Sequence, residues 1–239
     1  MTTGCLTVLI ALAAVLGIVA SWMWYRHWHD GNVNAERRKQ ARAAIFEQAQ
    51  ARADDTDRAL EMSGTTDVDA LTGVIWQHSK APVITYDASR RAFTATAASS
   101  AHYQAKAMLP GGGSGQVTGC FVFTFTQHPG QAWTSKVSER DDATCRPGTQ
   151  IGNRVRLALA RISSMYPENL TPDGIQKALN PTERRSFDVK NVVHEGDAVT
   201  VSVLISSSHA RVDQCYRFTR PAPGPTGQDS ATAVPTSAC

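Results

Sequence analysis

Two imidazoles and a carboxylate within four positions, His27, His29 and Asp30, are the side chains best placed by spacing to hold a transition metal. Their surroundings give them a different setting. They follow Trp22, Trp24 and Tyr25, whose rings pair an apolar body with a polar edge and collect where a helix leaves a bilayer. The expectation is no metal and no cofactor. His78, His102, His128, His194 and His209 lie in separate segments and read as surface or capping residues, since a catalytic triad would need the fold to gather them.

Three further patterns bear on chemistry. Gly111 to Gly115 lacks the Gly-Lys-Ser/Thr ending of a phosphate loop, and Gln116 stands where a nucleophile elbow needs glycine, so the stretch reads as a flexible loop. The acids Asp54, Asp55 and Asp57, and the pair Asp141 and Asp142, read as solvated charge, because glycosidase chemistry needs carboxyls facing each other across a cleft. Thr171, in Asn169-Leu170-Thr171 before Pro172, reads as a helix N-cap rather than as part of a glycosylation acceptor.

The cysteines carry the strongest pattern. Cys120 and Cys145 are 25 positions apart, Cys215 and Cys239 are 24 apart, and each pair begins at the head of an apolar strand-like run. Four cysteines allow three connectivities, and the matched spacings suggest Cys120–Cys145 and Cys215–Cys239. Disulfides require an oxidising compartment. Cys5 is left over at the far end of an apolar segment.

The elements that must position these cysteines repeat. A first pattern from about Asp57 to Cys145 and a second from about Asn153 to Cys239 each open with a helical stretch and a short capped helix, at Thr66 to Leu71 and at Thr171 to Ile175. Each continues into a hairpin of alternating apolar and polar residues: Val83 to Tyr86 with Phe93 to Ala97, and Phe187 to Val193 with Val199 to Val203. A third strand then begins at Cys120 or Cys215 and leads into a polar loop.

Upstream, Cys5 to Tyr25 is a run of 21 residues without a charged side chain. At about 1.5 Å per residue it matches a hydrocarbon core of roughly 30 Å. Trp22, Trp24, Tyr25 and Arg26 mark its membrane-interface end. A cleaved signal peptide would want a basic leader before a shorter apolar core, so a retained anchor is expected. Asn34 to Met62, free of Pro and rich in helix formers, reads as a helical stalk whose stripe of Ile45, Ala49 and Ala53 packs weakly.

The expected architecture is α+β: a tail at 1–4, a transmembrane helix at 5–25, a helical stalk at 26–56, and two tandem repeated modules at 57–150 and 151–239. Each module has short helices, a small antiparallel sheet and one disulfide, and the second ends in a Pro-rich tail. Composition supports a folded part, with 42% hydrophobic and 19% charged residues, and a net charge of +3 is too small and scattered to attract nucleic acid. Arginine outnumbers lysine 18 to 6, as in proteins of GC-rich bacterial genomes. Arg26, Arg37, Arg38, Lys39 and Arg42 follow the span, which by the positive-inside rule places the C-terminal part in the cytoplasm, whereas the cysteines place it outside. The cysteines are given the greater weight. The expected partners are the lipid bilayer and an envelope protein, in a non-enzymatic binding or assembly role. The alternatives are a membrane-anchored hydrolase-like enzyme with dispersed residues and a cytoplasmic-facing subunit of a membrane complex.

Overall fold

The computed structural model describes residues 3–106, 113–128, 130–181, 186–208, 212–221 and 231–239. The side chains of residues 3–7, 9 and 27 lie outside that description, so Cys5 and the His27 imidazole are not placed. His209, Gly111, Gly112 and the Pro-rich stretch 222–230 lie outside it as well. The fold is α+β, with one long N-terminal helix and two four-stranded antiparallel sheets. The elements are α1 (Thr3–Ser63), α2 (Val68–Ser79), β1 (Val83–Asp87), β2 (Ala92–Ala105), β3 (Gly113–Gln127), β4 (Trp133–Arg140), α3 (Asp142–Ser164), α4 (Pro172–Leu179), β5 (Phe187–Glu195), β6 (Ala198–Ser206), β7 (Asp213–Pro221) and β8 (Thr232–Thr236). Each sheet follows chain order, β1-β2-β3-β4 and β5-β6-β7-β8. The chain divides into two compact units, Met1–Ile45 with Ser100–Thr118, and Phe46–Ser99 with Gly119–Cys239.

In the first unit, α1 is long and apolar enough, by length and composition, to cross a membrane, and its most apolar stretch has mean hydropathy 1.2 with none of it buried in the protein. Farther along, its polar face holds strand backbone. The Asn34 amide donates to the Lys106 carbonyl (2.9 Å) and accepts the Lys106 N–H (2.7 Å), and Arg37 Nη1 donates to the Gln104 carbonyl (2.6 Å). Gly113, Ser114 and Gly115 are not a loop, because β3 already begins at Gly113. At Gly115 the reason for glycine is steric: a Cβ there would lie 2.3 Å from the Tyr103 ring.

In the second unit the remainder of α1 lies on the first sheet. Ala49, Ala53, Thr56 and Leu60 recur at three- and four-residue steps and all are buried, so the small-residue stripe is a tight packing face rather than the weak one expected of a stalk. Phe46 meets Phe121 with ring centroids 6.2 Å apart, Arg52 Nη1 donates to Ser99 Oγ (3.3 Å), and Glu61 Oε2 accepts the Trp133 N–H (3.3 Å). Gly64, at φ +58°, supplies the left-handed residue that ends the helix. On β2 and β3 the buried residues alternate, Phe93, Ala95 and Ala97, then Phe121, Phe123 and Phe125, as one covered sheet face requires.

The second sheet is covered by α3 and α4, and their core joins Ile151, Val155, Ala158, Ile162, Ile175 and Leu179 to Val201, Val203, Ile205, Tyr216 and Phe218. Asp67 caps α2 by accepting the Ala70 N–H, and Thr171 caps α4 by accepting the Gly174 N–H, as the sequence leads one to expect. The helices are not used alike. α4 packs on β5 of the sheet that follows it, whereas α2 packs on β1 and more extensively on β8, with Gly73 close to Val234 and Asp69 accepting from the Ser237 N–H (2.8 Å) and hydroxyl (2.6 Å).

The polar stretches after Cys120 and Cys215 hold more than loops. The first contains β4 and the start of α3, and the second contains the edge strand β8. Two side chains of β7 join the sheets by satisfying the outer edge of β1. Gln214 Oε1 accepts the Ile84 N–H (2.9 Å) while its Nε2 donates to the Thr236 carbonyl (2.9 Å), and the Tyr216 hydroxyl donates to the Pro82 carbonyl (2.7 Å).

One carboxylate departs from the solvated reading. Asp55 pairs with Arg58 at the surface, but Asp57 is half-buried, and its Oδ1 has no hydrogen-bond partner among the described residues. Desolvation raises its pKa above the usual carboxylate value, opposed by a hydrogen bond from Ser135 and reinforced by Asp54. A folded-state pKa above the unfolded one means that the ionised carboxylate opposes folding above both values, and that this opposition fades as pH falls through them. Asp57→Asn is therefore expected to raise the melting temperature at pH 7, by about 1 °C after allowance for solvent screening. The gain should vanish by about pH 3, where the native acid is also neutral. Calorimetry of both proteins across that pH range checks it.

Candidate functional site

Both disulfides are formed as the spacing suggests: Cys120–Cys145 at a Cα separation of 5.5 Å and Cys215–Cys239 at 5.4 Å. Each starts in the third strand of its sheet. The first ties β3 to the N-terminal turns of α3, and the second ties β7 to the chain end just beyond β8.

The residues considered for chemistry are not gathered. Among the described residues no group of three or more His, Cys, Asp or Glu side chains could hold a metal ion. His29 stacks on Tyr25, with ring centroids 6.0 Å apart. His78 is in the last turn of α2, His102 on β2, and His128 follows β3; His194 Nε2 lies 3.1 Å from the Leu170 carbonyl oxygen. Asp141 is the N-cap position of α3 and Asp142 is in its first turn, where carboxylates favour the helix dipole. Trp22, Trp24 and Tyr25 are exposed on α1, and the Arg26 guanidinium lies 4.7 Å from the Trp22 ring centre.

What the fold does assemble is a groove of about 370 Å³ where α2, the β1–β2 hairpin, α3 and β7 converge. Its apolar wall is Trp76, Pro82, Val155 and Leu159, and Tyr216 forms the floor. Gly148 and Gly152, one helical turn apart, let α3 approach Pro82: a Cβ at Gly152 would stand 3.4 Å from Pro82 Cβ. Burial pushes the Tyr216 phenol well above its ordinary pKa, so it stays neutral and keeps its bond to the Pro82 carbonyl.

Two cations stand at the rim. Lys80 caps α2 in the left-handed conformation (φ 57°), with Nζ 5.5 Å from the Trp76 ring centre, and Arg156 donates to Asn153 Oδ1 on the exposed side of α3. Among the described residues no carboxylate lines the groove. Two other cavities, one of about 290 Å³ beside Asp54 and Ser135 and one of about 300 Å³ between Tyr86, Arg91 and Trp133, are smaller, and none of the three is lined by a histidine. The groove has no signal in sequence, because its lining comes from four elements separated by up to 140 positions, Trp76 to Tyr216. Comparison with known proteins finds no match to a family model, to a curated protein or to a solved structure, so the groove's geometry and the two disulfides are what a functional reading has to rest on.

Proposed function

We propose that the chain is a single-pass membrane protein, anchored by its first apolar helix with Trp22, Trp24, Tyr25 and Arg26 at the interface. Its sheet-bearing part is exported and serves as a non-enzymatic binding or assembly module of a bacterial cell envelope. The observation that carries this reading is the closure of both disulfides, since paired structural cysteines persist where thiols oxidise and are rare in the cytosol. The wholly exposed apolar stretch of α1 supports the anchor, because an uncovered face of that size is unfavourable in water. Equal strand order in the two sheets, with a disulfide leaving the third strand of each, supports descent from one duplicated module.

The basic flank of Arg26, Arg37, Arg38, Lys39 and Arg42 favours a second reading, a cytoplasmic-facing subunit of a membrane complex. Thiol labelling separates the two. After denaturation without reductant, protein taken from intact cells is expected to label at Cys5 alone, and at all five cysteines once reduced. Labelling at Cys120, Cys145, Cys215 and Cys239 without reductant would establish the cytoplasmic arrangement instead.

A further inference from the structure

We propose that the groove between α2 and α3 docks an acidic segment of a partner protein, with one aromatic or large aliphatic side chain seated against Trp76, Pro82 and Leu159 and flanking carboxylates reaching Lys80 and Arg156. The inference rests on the binding-module reading above and supplies its site and the chemistry of its partner.

Charge complementarity selects this occupant. The rim presents two cations and, among the described residues, no acid. The helices that carry them place their carboxylates elsewhere. The acid of α2 is Asp69 in its first turn, already paired with Arg217 and Ser237, and the acid of α3 is Asp142 in its first turn. The rest of α3 adds Arg146, Arg154 and Arg161, of which Arg161 is engaged by the Leu179 carbonyl. An approaching segment therefore meets two cations and no carboxylate among the residues that line the groove, beside its apolar wall, and carboxylates both steer the encounter and offset the like-charge crowding of the rim. A bare anion would leave the Trp76, Pro82 and Leu159 surface wet, whereas a neutral apolar ligand would leave the cations unanswered. A side chain flanked by acids satisfies both, with one central apolar anchor and a charged rim as in other peptide grooves. Lys80 is suited to the role because its position on the Trp76 face leaves its ammonium exposed and without a carboxylate partner among the described residues. Nucleic acid is a poorer fit, since it needs a stripe of cations that tracks successive phosphates.

The test uses the full-length oxidised protein in phosphatidylcholine nanodiscs and a fluorescein-labelled probe peptide, Gly-Asp-Glu-Phe-Glu-Asp-Gly, read by anisotropy. Saturable binding is expected, weakened at least tenfold by the amide version of the peptide (Asn and Gln for Asp and Glu), by Ala for its Phe, and by the double substitution K80E/R156E. The double variant is also expected to acquire affinity for Gly-Lys-Arg-Phe-Arg-Lys-Gly that the native protein lacks. Both substituted side chains are exposed, and unchanged circular dichroism and disulfide content confirm folding. Equal affinity for the acidic and amide peptides, undiminished binding by K80E/R156E, or no binding at all overturns the proposal. Because nanodiscs impose no topology, exported thiols without peptide binding would sink the groove alone, and peptide binding with cytoplasmic thiols would sink only the exported placement.

Discussion

Cys239→Ser lowers the melting temperature of the oxidised protein by about 10 °C. The Cys215–Cys239 bond closes a loop of 24 residues, and its constraint on the unfolded chain is worth roughly 3.5 kcal/mol in the chain-entropy model. For a chain of this size each kcal/mol moves the transition by about 2–4 °C. The local consequence is larger than the global one. β8 is an edge strand whose only strand partner among the described residues is β7, with Cys215 opposite Thr236 and Tyr216 opposite Pro235, so the bond clamps the last rung of a five-residue strand. α2 rests on that strand, and Asp69 reaches Ser237 beyond it. Hydrogen exchange should therefore rise first in β8 and α2, and reductant, which opens Cys120–Cys145 as well, should lower the melting temperature of the native protein at least as far. A native protein whose melting temperature ignores reductant would mean that this bond does not hold the strand.

Arg220→Ala costs about 2–4 kcal/mol, measured by denaturant unfolding. Arg220 is 7% exposed, and its Nη1 donates to the carbonyls of Ile162 (3.0 Å) and Met165 (2.5 Å), at and just past the last turn of α3. A helix leaves its last carbonyls without internal partners, and a cation there also meets the negative end of the helix dipole. Removing the side chain leaves dry acceptors and a cavity beside Ile162, each a recognised source of large destabilisation. The Arg220 Nε has no partner among the described residues, which reduces what the buried guanidinium contributes. Arg220→Met separates the causes, since it keeps most of the volume without donors. It is expected to recover less than half of the loss. Stability equal to the native protein in that variant would assign the whole effect to packing.

Much of this architecture could be read from residue order alone, and the reason is local. Period-two alternation at Phe93 to Ala97 and Val199 to Val203 belongs to neighbours along the chain, and these runs form β2 and β6, paired with β1 and β5; β1 itself does not alternate, since Val83 and Ile84 are both buried. Asp67 and Thr171 cap their helices through bonds only three residues long. The apolar character of α1 and the matched spacings of the four paired cysteines are likewise properties of the linear text, and the spacings lead to the bonds that form.

Long-range packing decided the rest. β4 and β8 were hidden inside apparent loops because an edge strand tolerates polar residues and even Pro235, leaving little alternation to see. Ala49 and Ala53 look like weak packing residues until the first sheet lies against them, and then their small size is what permits close contact. Asp57 resembles its solvated neighbours in every respect except the burial imposed by its position on α1. The groove between Trp76, Pro82, Leu159 and Tyr216 lies where Gln214 and Tyr216 fasten one sheet to the edge strand of the other, a contact between residues more than 100 positions apart. Residue order sets most of the helices and the alternating strands, since those depend on near neighbours. Which faces meet, and what opens between them, is set by contacts between residues far apart in the chain.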